Sequence, residues 1–84
     1  MKRIKNGCVY LDKKYFNVEY YPNYHRKKPE IYYFEISRCN TIDKLKMWIR
    51  QLREKTWSEE DMIRDLKHSY SDHFGIPYNE VDKL

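Results

Sequence analysis

Tyr15-Phe16-Asn17-Val18-Glu19-Tyr20-Tyr21 and Ile31-Tyr32-Tyr33-Phe34-Glu35-Ile36 are the stretches whose reading decides the fold. In an extended chain successive side chains point to opposite faces. Phe16, Val18 and Tyr20 then share one face, with Tyr15, Asn17, Glu19 and Tyr21 on the other. In the second stretch Tyr32, Phe34 and Ile36 oppose Ile31, Tyr33 and Glu35. The sets Phe16/Val18/Tyr20 and Tyr32/Phe34/Ile36 are the expected core face. The opposite face is expected to be wet but still aromatic.

Between these stretches lies Pro22-Asn23-Tyr24-His25-Arg26-Lys27-Lys28-Pro29, bounded by prolines and carrying three consecutive cations. It reads as the loop at the tip of an antiparallel pair. Upstream, Asn6-Gly7 is a tight-turn signal, because both residues tolerate positive φ. It joins a short strand near residues 3–5 to one at 8–11, and Asp12-Lys13-Lys14 follows as a polar turn.

Downstream the period changes from two to 3.6. Asn40 and Thr41 are good helix N-caps, and Asp43 suits the first turn. Leu45, Trp48, Ile49 and Leu52 then make one apolar stripe, and Lys46, Arg50 and Arg53 share an adjoining face. A second helix is expected to open at Ser58, with Glu59, Glu60 and Asp61 in its first turn. Trp57 and Met62 have the spacing of a hydrophobic staple. Met62, Ile63, Leu66 and Tyr70 supply the buried stripe, and Gly75 followed by Pro77 ends the helix.

The expected architecture is α+β. A small antiparallel sheet of three strands, or four if the first short one pairs, packs on a C-terminal two-helix hairpin. Strands are expected at about 8–11, 15–21 and 30–37, and helices at about 41–55 and 58–74. The tail 76–84 reads as a short polar end, partly disordered. No repeat or linker divides the 84 residues, which have room for a single domain with one modest core.

Composition narrows the function classes. Nine tyrosines, three phenylalanines and two tryptophans supply much of the apolar area, and tyrosine suits half-buried and interface positions. Two glycines and three prolines argue against a low-complexity chain. No apolar run is long enough to span a bilayer, so no membrane partner is expected. The basic Met1-Lys2-Arg3-Ile4-Lys5 is followed by no apolar segment and is not a signal peptide. Cys8 and Cys39 lack paired spacing and read as reduced thiols of a cytoplasmic protein. Residues 1–56 hold 14 Lys/Arg against 6 Asp/Glu, while residues 57–84 hold 3 against 7. That asymmetry gives a basic region able to attract phosphate or acidic protein surface.

Chemistry finds little purchase. His68 and His73 are five apart, about 140° around a helix, whereas a zinc-binding helical pair is four apart. There is no Cys-x-x-Cys, and Gly7 and Gly75 form no phosphate-cradling loop. The serines have no nucleophile motif around them, and Ser58 reads as a cap. No catalytic residue, cofactor or metal is therefore expected.

Two candidate binding surfaces are left. The first joins the loop residues Tyr24, His25, Arg26, Lys27 and Lys28 to Tyr15, Tyr21, Ile31 and Tyr33. Cations neutralise phosphates and tyrosines stack on unpaired bases, but Tyr with Arg also describes a protein–protein hot spot. The second is the Lys46/Arg50/Arg53 face, which a solvated helix would also display.

Leu45-Lys46-Met47-Trp48-Ile49-Arg50-Gln51-Leu52-Arg53-Glu54-Lys55-Thr56-Trp57, running on to Ile63, resembles a Leu-x-x-Trp-Ile-x-x-Leu-x-Glu-Lys-x-Trp segment of small phage and prophage proteins. With the preceding strand the resemblance covers about half the chain. Gln51 and Arg53 stand where that family often has histidine and serine, so no functional residue is carried over. The resemblance implies a small inhibitor of the anti-CRISPR kind, acting in the host cytoplasm. The expected function is non-enzymatic binding and inhibition of a host protein that handles nucleic acid, such as an RNA-guided nuclease or its guide-RNA complex. The alternative is direct RNA or DNA binding through the same residues. A monomer and a homodimer are both compatible with this.

Overall fold

The computed structural model describes residues 4–21 and 29–84, with the backbone alone at residues 4–6. Four strands form one antiparallel sheet in sequence order: β1 Ile4–Asn6, β2 Val9–Leu11, β3 Tyr15–Tyr20 and β4 Glu30–Glu35. A 3-10 turn, Ile36–Cys39, leads to α1 Ile42–Arg53, and α2 spans Glu60–Phe74. The α+β class expected from the two hydrophobic periods is the one observed, with the fourth strand present.

The register follows from the turns. Gly7 sits at φ 61°, the left-handed conformation a two-residue hairpin needs. It aligns Asn6 with Val9, and the next hairpin aligns Leu11 with Phe16. Asp12 holds that second turn by accepting the N–H groups of Lys14 and Tyr15 at 2.9 and 2.8 Å. In the third pair Phe16 faces Phe34 and Val18 faces Tyr32.

The core lies between one sheet face and the helices. Val9, Phe16, Val18 and Phe34 meet Leu45, Ile49, Leu52, Ile63, Leu66 and Tyr70 in a single cluster. Phe16 lies between Phe34 and Tyr70, with ring centroids 5.5 and 6.4 Å away. Tyr20 and Tyr32, at the outer part of the expected core face, are only half-buried and pack on Trp57. Trp57 stacks on Tyr20 at 3.7 Å and 9°. That contact, between the end of β3 and the connection from α1 to α2, fixes the chain between the helices.

The caps divide. Thr41 accepts the Lys44 N–H through its side chain, and Gly75 closes α2 at φ 65° with its N–H on the Ser71 carbonyl. Ser58 does not cap α2: the N-cap is Glu59, with no side-chain cap bond, and the start is favoured by Glu60 and Asp61 in the first turn. The tail also departs from expectation. Residues Tyr78–Glu80 form a 3-10 turn, Val81 is fully buried in the core, and Lys67 donates to the Asp82 carbonyl at 3.0 Å. His68 stacks on Tyr78 at 4.0 Å. Val81, the partly buried Ile76, Tyr78 and Leu84, and the bond from Lys67 together dock the segment. No described helix is long and apolar enough to cross a membrane.

Candidate functional site

The sheet face away from the helices is where unexplained side chains collect. Tyr15, Asn17, Glu19 and Tyr21 alternate onto it from the β3 side, and Ile31, Tyr33 and Glu35 from β4. The structure brings Tyr15 and Tyr33 together edge-to-face at 5.2 Å. Tyr33 is 61% exposed, Ile31 44% and Tyr21 43%. The face is less wet than expected at its centre. Tyr10 and Asn17, opposite each other in the β2–β3 pair, are both buried. Asn17 spends its amide on Asp12 Oδ2 at 3.2 Å and on the carbonyls of Tyr15 and Tyr10, so it is a scaffold residue.

At the β4 end this face continues around the edge of the sheet. Trp48 stacks on Phe34 at 4.5 Å and donates its indole N–H to the Arg38 carbonyl at 2.9 Å. On one side of Trp48 a hollow of about 350 Å³ is bounded by Tyr15, Tyr33, Glu35 and Arg38. On the other a hollow of about 360 Å³ is bounded by Arg38, Lys44, Met47 and Gln51. Met47 is 62% exposed. Arg38 approaches Glu35 at 3.9 Å, a pair with both side chains largely in water and of little energetic consequence.

The helix-borne candidates separate. Lys46 and Arg50 are exposed on α1. Arg53 is engaged by the fold, donating to both carboxylate oxygens of Glu60 at 3.3 and 3.2 Å and to the main-chain oxygen of Leu84 at 2.9 Å. It is a strap between the end of α1, the start of α2 and the tail, on a side chain that remains exposed. Tyr24, His25, Arg26, Lys27 and Lys28 lie outside the described residues.

Sequence reasoning did not pick Arg38, Lys44, Met47 or Trp48. The spacing of Trp48 marks it only as core, because its indole belongs to the apolar stripe. A signal was present in Met47, an apolar residue one position out of phase with Leu45, Trp48, Ile49 and Leu52. Such a residue has to face water or a partner.

Neither thiol is set up as a nucleophile. Burial, then the Asp65 carboxylate, pushes the Cys8 thiol up to about 11. Cys8 instead donates its main-chain N–H to Asp65 Oδ2 at 3.3 Å, with its sulfur 3.7 Å from the same oxygen. Burial pushes Cys39 up to about 12. Among the described residues no group of three His, Cys, Asp or Glu converges as a metal site. Comparison with protein-family models, curated proteins and solved structures finds no match.

Proposed function

We propose that the chain is a non-enzymatic binding module that docks on, and inhibits or modulates, a protein handling nucleic acid, with an RNA-guided nuclease as the type of target. The observation that carries the reading is the exposed Tyr33 ring, set against Tyr15 and continuous with Trp48, Met47 and Arg38. Tyrosine, tryptophan, methionine and arginine are the residue types enriched where protein interfaces are strongest. The same face carries Glu19 and Glu35 among its aromatics, so it is not the continuous cationic track that a phosphate backbone follows. The cations Arg38 and Lys44 lie together at one edge, where a localised acidic group can meet them. The excess of cations in residues 1–56 then suits an acidic docking region on the partner.

The test pairs two titrations. Labelled single- and double-stranded RNA and DNA are titrated with the chain alone at two salt concentrations. A purified RNA-guided nuclease, with and without guide, is titrated in parallel. The expected result is a salt-tolerant protein complex that Tyr33→Ala weakens by roughly tenfold or more, with the fold retained by circular dichroism. Micromolar or tighter binding to nucleic acid with a steep salt slope would replace this reading by direct RNA or DNA binding.

A further inference from the structure

β4 is the last strand of the sheet on its side among the described residues. The Ile36 N–H bonds the Lys14 carbonyl at 2.7 Å, which fixes the phase of the β3–β4 ladder. In an antiparallel pair, alternate residues turn their main-chain groups toward the neighbour. Glu30, Tyr32 and Phe34 therefore face β3. The N–H and C=O groups of Ile31 and Tyr33 face outward, with the N–H of Glu35, whose carbonyl is taken by the 3-10 turn that it caps. Those three residues also bear the side chains on the aromatic face. A sheet edge of this kind is a template for one more strand.

Just past that edge lies the hollow beside Trp48. Its floor is apolar, from Trp48 and Met47, and its rim carries the cations Arg38 and Lys44 with no carboxylate among its lining residues. We propose that β4 takes up an acidic, extended segment of the partner as a fifth strand, with one apolar side chain in this hollow and a carboxylate on Arg38 or Lys44. The proposal rests on the reading of the chain as a protein-binding module and names the chemistry of what it binds. The charge of the rim selects an acidic strand, and the strand proposed is the partner's. The chain's own β4, with Glu30 and Glu35 at its ends, is the competing occupant that dimerisation would reveal.

The probe is a displayed library of short random peptides selected on the full chain. Its consensus is then made as a fluorescent peptide and titrated by anisotropy. The expected consensus is acidic with one large apolar residue. N-methylation of alternate peptide residues in the strand-pairing phase should weaken binding roughly tenfold or more, and methylation in the other phase should not. On the protein, Tyr33→Pro removes an outward donor without touching a β3 bond and should bind roughly tenfold worse than Tyr33→Ala. Arg38→Glu should shift selection toward basic peptides. A consensus without acidic bias, or indifference to both N-methylation phases, overturns the proposal. So does β4-dependent dimerisation that excludes the peptide. If a nuclease still binds in a Tyr33-dependent way under any of these results, the protein-binding reading survives and only the strand-addition mode is lost. If only nucleic acid binds, both fall.

Discussion

Replacing Gly7 by alanine tests how the first hairpin is joined to α2. Two costs combine there. An L-residue at φ 61° costs about 1–2 kcal/mol. The added methyl would also lie 2.6 Å from Asp65 Cγ and overlap the carboxylate. Asp65 has two side-chain torsions and can swing aside, but it then gives up the Cys8 main-chain N–H and its sulfur contact. A hydrogen bond to a charged acceptor contributes about 1.5–3 kcal/mol. The expected loss for Gly7→Ala is therefore about 3–5 kcal/mol, a large share of a total stability of roughly 5–15 kcal/mol. The assay is urea unfolding followed by circular dichroism, run as a double-mutant cycle with Asp65→Ala. Asp65→Ala alone should cost about 2–3 kcal/mol. In that background Gly7→Ala should cost only its backbone share, about 1–2 kcal/mol. The two substitutions should thus fall short of additivity by about 2 kcal/mol. Additivity within about 0.5 kcal/mol would show that the carboxylate does not hold the turn, and would refute the argument.

Two further predictions concern the thiols and the tail. The folded-state values of Cys8 and Cys39, about 11 and about 12, lie above the ordinary thiol value. The unfolded chain therefore releases these protons first as pH rises. Stability should hold up to about pH 8.5 and then decline toward pH 11–12, by at most about 1.4 kcal/mol per pH unit for each thiol. Chemical denaturation in a pH series checks this, and Cys39→Ala should flatten the upper part of the decline. Val81→Ala should cost about 2 kcal/mol by urea unfolding, because the side chain is fully buried. A loss below about 0.5 kcal/mol would mean that Val81 is not packed in the core.

What was legible in the sequence was whatever depends on near neighbours. Alternation in 15–21 and 31–36 placed Phe16, Val18 and Phe34 in the core, and the stripe from Leu45 to Leu52 placed α1. Thr41 and Gly75 announced their caps through backbone chemistry that involves a few adjacent residues. Contacts made across long separations were not legible. Asp65 lies 57 residues from the Cys8 main chain it binds, and Arg53 lies 31 from Leu84. Trp57 has the spacing of a staple for Met62, but its ring partners Tyr20 and Tyr32 lie far away along the chain and carry no local signal. The candidate site was half visible. Tyr15, Tyr21 and Tyr33 stood out as aromatics on the wrong face for a core. The hollow at Trp48 exists only because the 3-10 turn Ile36–Cys39 brings Arg38 beside α1.

The different settings of the two cysteines have a kinetic consequence. Cys39 has no exposed surface, so a thiol-reactive dye can reach it only when the core opens. Cys8 is partly exposed at the seam between the first hairpin and α2, where a smaller separation would uncover it. The chain thus carries two native clocks that need no engineering. Labelling at Cys39 times the opening of the whole core, and labelling at Cys8 times the parting of the hairpin from the helix. Their ratio under native conditions measures how far the two halves of this small molecule come apart independently.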